Sequence, residues 1–325
     1  MKTYPKFIVF VLFIFFISPM AGARQTDLTY RLKWKFNTSV AGVIYAKAHG
    51  YFHEAGLNVT VKEGGPEKDA INELELGHID FGVASADQVI RALDKGADIV
   101  VLAQLFHVNP MQWIYRADQP EISMLTDLRG RKIAVTFGKN DEIIMNTLFA
   151  MAKIKKEEVR ISGAGFDFTP FLTRKVDVWP VYRNSQGVIL KDKLAREGEA
   201  VYFFNPSDFG VNFVANSVIT SQEIWKSKPQ VVGKFVRALL RGWEDAMAHE
   251  NESTVLAAVK NKDKGTNDDI RRQQLVATRA LIKPVSTLRI GTINKKAWEQ
   301  TEAILLKENQ IKKSVNIVQR LRQVK

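Results

Sequence analysis

Cysteine is absent from the 325-residue chain. That excludes disulfides, thiolate metal sites and a cysteine nucleophile. It also excludes a lipid-anchored form, which needs a cysteine just after an export signal. Phosphate-cradling and nucleophile-elbow motifs are missing as well: there is no Walker A, G-x-G-x-x-G or G-x-S-x-G pattern, and Gly163-Ala164-Gly165 reads as a short flexible turn. Histidine is scarce, with five in the chain. His49 and His53 stand i, i+4, a spacing that can hold a metal, but Glu54 does not complete a zinc-protease pattern, and both read as surface positions of an amphipathic helix. Charge of one sign is not concentrated anywhere. The formal net charge is +12, yet basic residues are scattered among acids, as in Lys153 to Glu158 (KIKKEE). Without a basic run or interleaved aromatics, nucleic acid is not the expected partner. A solvated surface with some bias toward anionic ligands, or toward an acidic docking partner, is.

Long apolar runs are also lacking, except near the start. Lys2 and Lys6 precede eleven apolar residues, Phe7 to Ile17, which Ser18-Pro19 interrupts before Ala21-Gly22-Ala23. Eleven residues are too few to span a bilayer as a helix, but they suit the apolar region of a signal peptide. Residues 1–23 are therefore expected to be cleaved, leaving a periplasmic chain that starts near Arg24, with an uncleaved anchor as the alternative. Removing Lys2 and Lys6 lowers the net charge to +10.

What is present is an alternation of short elements with glycines at the joins. Leu28 to Phe36 alternates polar and apolar residues like a half-buried strand. Gly42 to Ala55 has helical spacing and ends at Gly56, a C-cap signal. Further strands are expected at 57–61, 81–84 and 99–105, with helices at 68–76 and 86–95. Glu67 and Asp69, after Pro66, sit where acids favour a helix start. A second such stretch follows: strands at 132–137, 157–162, 176–182 and 200–204, helices at 141–153, 168–175 and 185–197. From Pro229 onward the pattern is mainly helical, with segments at 231–249, 253–260, 268–282 and 295–309. This is an α/β chain with mostly parallel strands and crossover helices.

In open α/β sheets, ligands bind beyond the carboxyl ends of strands. The candidate contacts are therefore Phe36–Ser39, Glu63–Gly65, Ser85–Asp87 and Phe106–Pro110. His107 falls at such an end, with a loop histidine held by backbone as the alternative. Aromatics cluster in or near strand ends (Trp34, Phe36, Phe106, Trp113, Phe166, Trp179 and Tyr182). Most are expected in the core; those at the ends could stack on a flat ligand.

Several segments, in order, resemble the NMT1/THI5-like solute-binding proteins of ABC importers. They are Ala41-Gly42 with Tyr45-Ala46, Gly50-Tyr51-Phe52, Gly56-Leu57-Asn58-Val59 and Gly77-His78-Ile79-Asp80-Phe81-Gly82-Val83. Val101-Leu102-Ala103, Asp127-Leu128-Arg129-Gly130-Arg131-Lys132, Asp208-Phe209-Gly210-Val211, Leu240-Arg241-Gly242-Trp243 with Ala246, and Ile290-Gly291 with Trp298 continue the match. The resemblance implies a two-lobed type II periplasmic-binding fold with a discontinuous first lobe, residues 27–116 and 215–325, and a second lobe at 117–214. It implies a non-enzymatic receptor that closes on a small organic ligand, of thiamine-pyrimidine type in some members, and delivers it to an importer permease. A sensory subunit for a membrane signalling protein is the alternative. No cofactor is expected, and a monomer is.

The resemblance assigns Tyr182 to stacking, Asn37, Ser85 and Gln186 to hydrogen bonding, and Trp34 and Phe106 to apolar walls, with Phe36, Gly65 and His107 nearby. The family's second-lobe motif carries asparagine, glutamate and proline where this chain has Ser185, Gln186 and Gly187. His107 stands where relatives often carry glutamine. Glutamine in place of glutamate offers a donor and an acceptor without charge, so the pocket carries over while the ligand need not.

Overall fold

The computed structural model describes residues 25–65, 68–165 and 167–324. The expected signal peptide, Glu67 and Phe166 lie outside them. Two five-stranded sheets organise the chain. The first comprises β1 (Thr26–Arg31), β2 (Leu57–Lys62), β3 (Phe81–Ala84), β4 (Ile99–Gln104) and β10 (Ser217–Ser221), in the order β2-β1-β3-β10-β4. The second comprises β5 (Met111–Arg116), β6 (Lys132–Val135), β7 (Arg160–Gly163), β8 (Val178–Tyr182) and β9 (Val201–Phe204), in the order β7-β6-β8-β5-β9. In each sheet, strands joined through helices run parallel, and one strand that has crossed from the other sheet runs antiparallel: β10 in the first and β5 in the second.

Strands β5 and β10 are additions to the sequence reading. All six residues of Met111–Arg116 are buried, so no polar alternation marks them, and Ser217–Ser221 is buried up to its last residue. The pairing of β5 with β8 and β9 corrects one expected boundary. Residues 111–116 belong to the second sheet, so the first crossing lies at 105–110 and not at 116. The return crossing lies between Phe204 and Ser217.

The helices cover the sheet faces. They are α1 (Ala41–Ala48), α2 (Tyr51–Glu54), α3 (Ala70–Glu75), α4 (Ala86–Asp94), α5 (Asn140–Met151), α6 (Thr169–Leu172) and α7 (Gln186–Arg196). A carboxy-terminal group follows: α8 (Gln222–Ser227), α9 (Pro229–Met247), α10 (Glu252–Lys260), α11 (Asp268–Ile282) and α12 (Lys295–Lys307). The expected single helix from 42 to 55 is two, because Gly50 takes a left-handed φ of 75° between α1 and α2.

Helices α1 and α9 cross at glycine contacts. A Cβ on Gly242 would stand 2.4 Å from the Ala46 Cβ and 2.6 Å from the Gly42 carbonyl oxygen. A Cβ on Gly42 would stand 2.1 Å from the Trp243 ring. The Gly42 and Gly242-Trp243 motifs therefore share one cause, the close approach of two helices around an indole. Aromatics fill the core beside this crossing, where Phe235 stacks on Phe81 at 3.9 Å and meets Tyr30 edge-on at 5.2 Å.

Candidate functional site

A cleft of about 580 Å³ opens where the two sheets face each other. The first sheet and its loops contribute Trp34, Asn37, Gly65, Ser85, Asp87 and Phe106, and the second contributes Thr136, Phe168, Pro180, Tyr182, Asn184 and Gln186. The size falls within the usual range for a small-molecule site. Seven of the sequence-derived residues meet here: Trp34, Asn37, Gly65, Ser85, Phe106, Tyr182 and Gln186. Phe36 and His107 are not among the lining residues. Phe36 packs beneath the Lys262 ammonium, 5.6 Å from the ring centroid. His107 turns into the crossing, where its amide donates to the Leu281 carbonyl at 3.0 Å.

Local structure holds each lining residue. Asn37 accepts the Ser39 amide at 2.8 Å and the Ser39 hydroxyl as well, capping a single 3₁₀ turn that leads into α1. Ser85 begins α4, its amide donating to the Gln88 side chain at 3.1 Å and its hydroxyl to Asp87. Gln186 starts α7 and accepts the Tyr182 amide at 3.3 Å through its carbonyl oxygen. That bond leaves the Gln186 NH₂ as a donor group. Pro180, which has no N–H, sits beyond Val178, where the ladder between β8 and β6 has ended.

The acidic groups of the cleft are committed. Asp87 is paired with Arg91 at 2.9 Å. Asp69 caps α3 by accepting the Ile71 amide at 2.7 Å. Asp141 accepts the Thr136 amide at 2.6 Å; burial raises its carboxyl above the ordinary range, and that hydrogen bond opposes the shift. Burial likewise raises the Tyr182 hydroxyl, with the Asp141 and Asp87 charges adding to it, so the phenol stays protonated across the physiological range. Helices α4, α5 and α7 begin at the cleft and turn their positive dipole ends toward it.

Sequence reasoning missed Lys33, Arg91, Phe168, Asn184 and Asn216, which also line the cleft. Lys33 carries no hydrogen bond or ion pair among the described residues. Burial lowers its ammonium from the usual lysine value, Asp87 and Asp69 oppose this, and Arg91 adds to it. Lys33 falls inside the strand expected from Leu28 to Phe36, which ends earlier, at Arg31, and so carries no signal. Neither does Asn216, because β10 itself is hidden.

A family model for NMT1/THI5-like proteins matches residues 37–253. The chain is 25% identical to the riboflavin-binding protein RibY of Chloroflexus aurantiacus over 73% of its length and 67% of that protein. It is 25% identical to the formylaminopyrimidine-binding protein of Halalkalibacterium halodurans over 78% of each chain. A 4-amino-5-hydroxymethyl-2-methylpyrimidine phosphate synthase of Legionella pneumophila shares 23% identity over 67% of this chain and 68% of the other. Among solved structures, the periplasmic aliphatic sulphonate binding protein SsuA from Escherichia coli superposes with a TM-score of 0.71 at 17% identity, covering 92% of both chains. The alkanesulfonate-binding protein SsuA from Xanthomonas axonopodis pv. citri does so at 0.68 and 14% identity, covering 93% of this chain and 99% of the other. The fold is that of the periplasmic binding proteins, and the chain belongs to the NMT1/THI5-like family.

Proposed function

We propose that this chain is an extracytoplasmic solute-binding receptor. It captures a small, flat organic ligand between its two α/β units and delivers it to the permease of an ABC importer. The observation that carries this reading is the cleft itself, about 580 Å³ and lined from both sheets by Trp34 and Phe106 on one side and Phe168 and Tyr182 on the other. A ligand touching both sides stabilises the closed arrangement by its differential affinity for closed over open. Tyr182 stacks on the ligand, and Asn37, Ser85 and Gln186 supply polar contacts. A thiamine-pyrimidine-like heterocycle fits this chemistry, and a formylaminopyrimidine-binding relative supports it.

A binding role also suits the polar groups. Asp69, Asp87 and Asp141 each hold a backbone amide or an arginine, and no histidine is among the described lining residues. The synthase relatives are the other reading; with no cysteine, this chain has no thiolate for such chemistry. The receptor acts as a monomer in the periplasm after removal of residues 1–23. Among the described residues, no helix is long and apolar enough to cross a membrane.

Isothermal titration of the purified mature chain with a formylaminopyrimidine, riboflavin, alkanesulfonates and small carboxylates tests the reading. Saturable one-to-one binding of one class is expected. The absence of heat from the pyrimidines removes that ligand assignment.

A further inference from the structure

Behind the cleft lies a second, much smaller cavity of about 20 Å³. Lys33, Trp34, Ser39, Val83 and Asn216 line both spaces, so the two share a wall. The small cavity also touches Trp243, which is 2% exposed and whose indole nitrogen finds no hydrogen-bond partner among the described residues. A buried N–H without a partner is costly, and a cavity of this size holds one water when it has polar neighbours. Trp243, Lys33, Asn216 and Ser39 are polar residues of its lining. Neither Lys33 nor the Asn216 side chain makes a hydrogen bond within the described residues, so both keep donors for something in the cleft.

We propose that Lys33 and Asn216, backed by a water seated against the Trp243 indole N–H, form an anion-accepting end of the cleft, so that the ligand is a flat ring carrying a carboxylate, sulfonate or phosphate group. The inference rests on the receptor reading of the same cleft. The acids near Lys33 do not already satisfy it: Asp87 is held by Arg91 and Ser85, and Asp69 by the first turn of α3. Burial makes the ammonium costly to keep charged, and an incoming anion offsets that cost. Lys68 and Lys139, exposed at the rim, add attraction of the same sign.

Two measurements on the mature chain test this. A crystal structure at a resolution that shows ordered waters is expected to place one water within hydrogen-bond reach of Trp243 Nε1; a dry cavity overturns the seated water. Titration with benzenesulfonate against benzenesulfonamide, and benzoate against benzamide, reads the charge preference. The anions are expected to bind at least ~10-fold tighter, the scale of one hydrogen bond to a charged group. Lys33→Met should abolish the preference and Lys33→Arg should keep it, both with an unchanged melting temperature. Equal affinity within each pair, or no binding of any of the four, overturns the anion-accepting end. If riboflavin or a formylaminopyrimidine still binds in that event, the receptor reading survives.

Discussion

Asn184 donates a 3.0 Å hydrogen bond from its side-chain amide to the Thr278 hydroxyl, and both side chains are buried. The bond ties the turn after β8, in the second sheet, to α11 from the carboxy-terminal helices. The same helix receives the first crossing, because the amides of His107 and Val108 both donate to the Leu281 carbonyl at 3.0 Å. Helix α11 thus bridges the first crossing and the turn after β8, and Asn184 also lines the cleft. Asn184→Ala removes one neutral hydrogen bond, about 1 kcal/mol, and should weaken ligand binding up to about fivefold while Thr278 keeps its bond to the Gln274 carbonyl. Thr278→Val should do the same in calorimetric titration. Unchanged affinity in both variants would separate that bridge from closure.

The α1–α9 crossing gives a stability prediction. Gly242→Ala places a methyl 2.4 Å from the Ala46 Cβ and forces the helices apart. A cost of about 1–3 kcal/mol is expected in chemical denaturation, the range for overpacking a close-packed core. Wild-type stability in the variant would mean that the helices separate without loss.

His107 predicts a pH dependence. Burial holds its imidazole below the ordinary value of 6.5, and its Nε2 has no hydrogen-bond partner among the described residues. Below that pH the unfolded chain binds a proton that the folded chain resists, so this contribution to stability is complete above about pH 6.5 and is lost as the pH falls through the lowered folded value. His107→Gln should flatten that part of the profile. The denaturation midpoints of variant and wild type, compared between neutral pH and pH 5, check it; parallel curves would contradict it.

Gln186 predicts a change of selectivity. Its carbonyl oxygen accepts the Tyr182 amide at 3.3 Å, and a carboxylate can accept the same bond. Gln186→Glu therefore keeps the turn while replacing a donor with a charged acceptor. Binding of an aminopyrimidine should strengthen by about tenfold, the scale of a charge-assisted hydrogen bond, and binding of aryl sulfonates should weaken. Equal responses of the two ligands would place Gln186 outside the contact.

The legible part of the chain follows from local signals. The strand at 81–84 and helix α11 fall where their patterns put them, and the glycine joins mark real turns. Trp34, Ser85 and Tyr182 line the cleft, and their places at or near strand ends, with the family resemblance for Tyr182, are what offer them in the sequence. The hidden part is non-local. Strands β5 and β10 are buried along nearly their whole length, and each pairs with partners far away in sequence, so neither alternation nor neighbours reveal them. Lys33, Arg91 and Asn216 read as ordinary polar residues until the fold of the first sheet brings them to the cleft. His107 and Phe36 carried the right residue type at the right kind of position, but backbone and cation contacts turn them elsewhere.

The most direct test of the central claim is a crystal structure of the mature chain with the tightest ligand from titration. The account predicts density for that ligand in the cleft, in contact with Tyr182 on one side and Trp34 or Phe106 on the other. A ligand bound elsewhere on the surface, with the cleft holding only water, would contradict it.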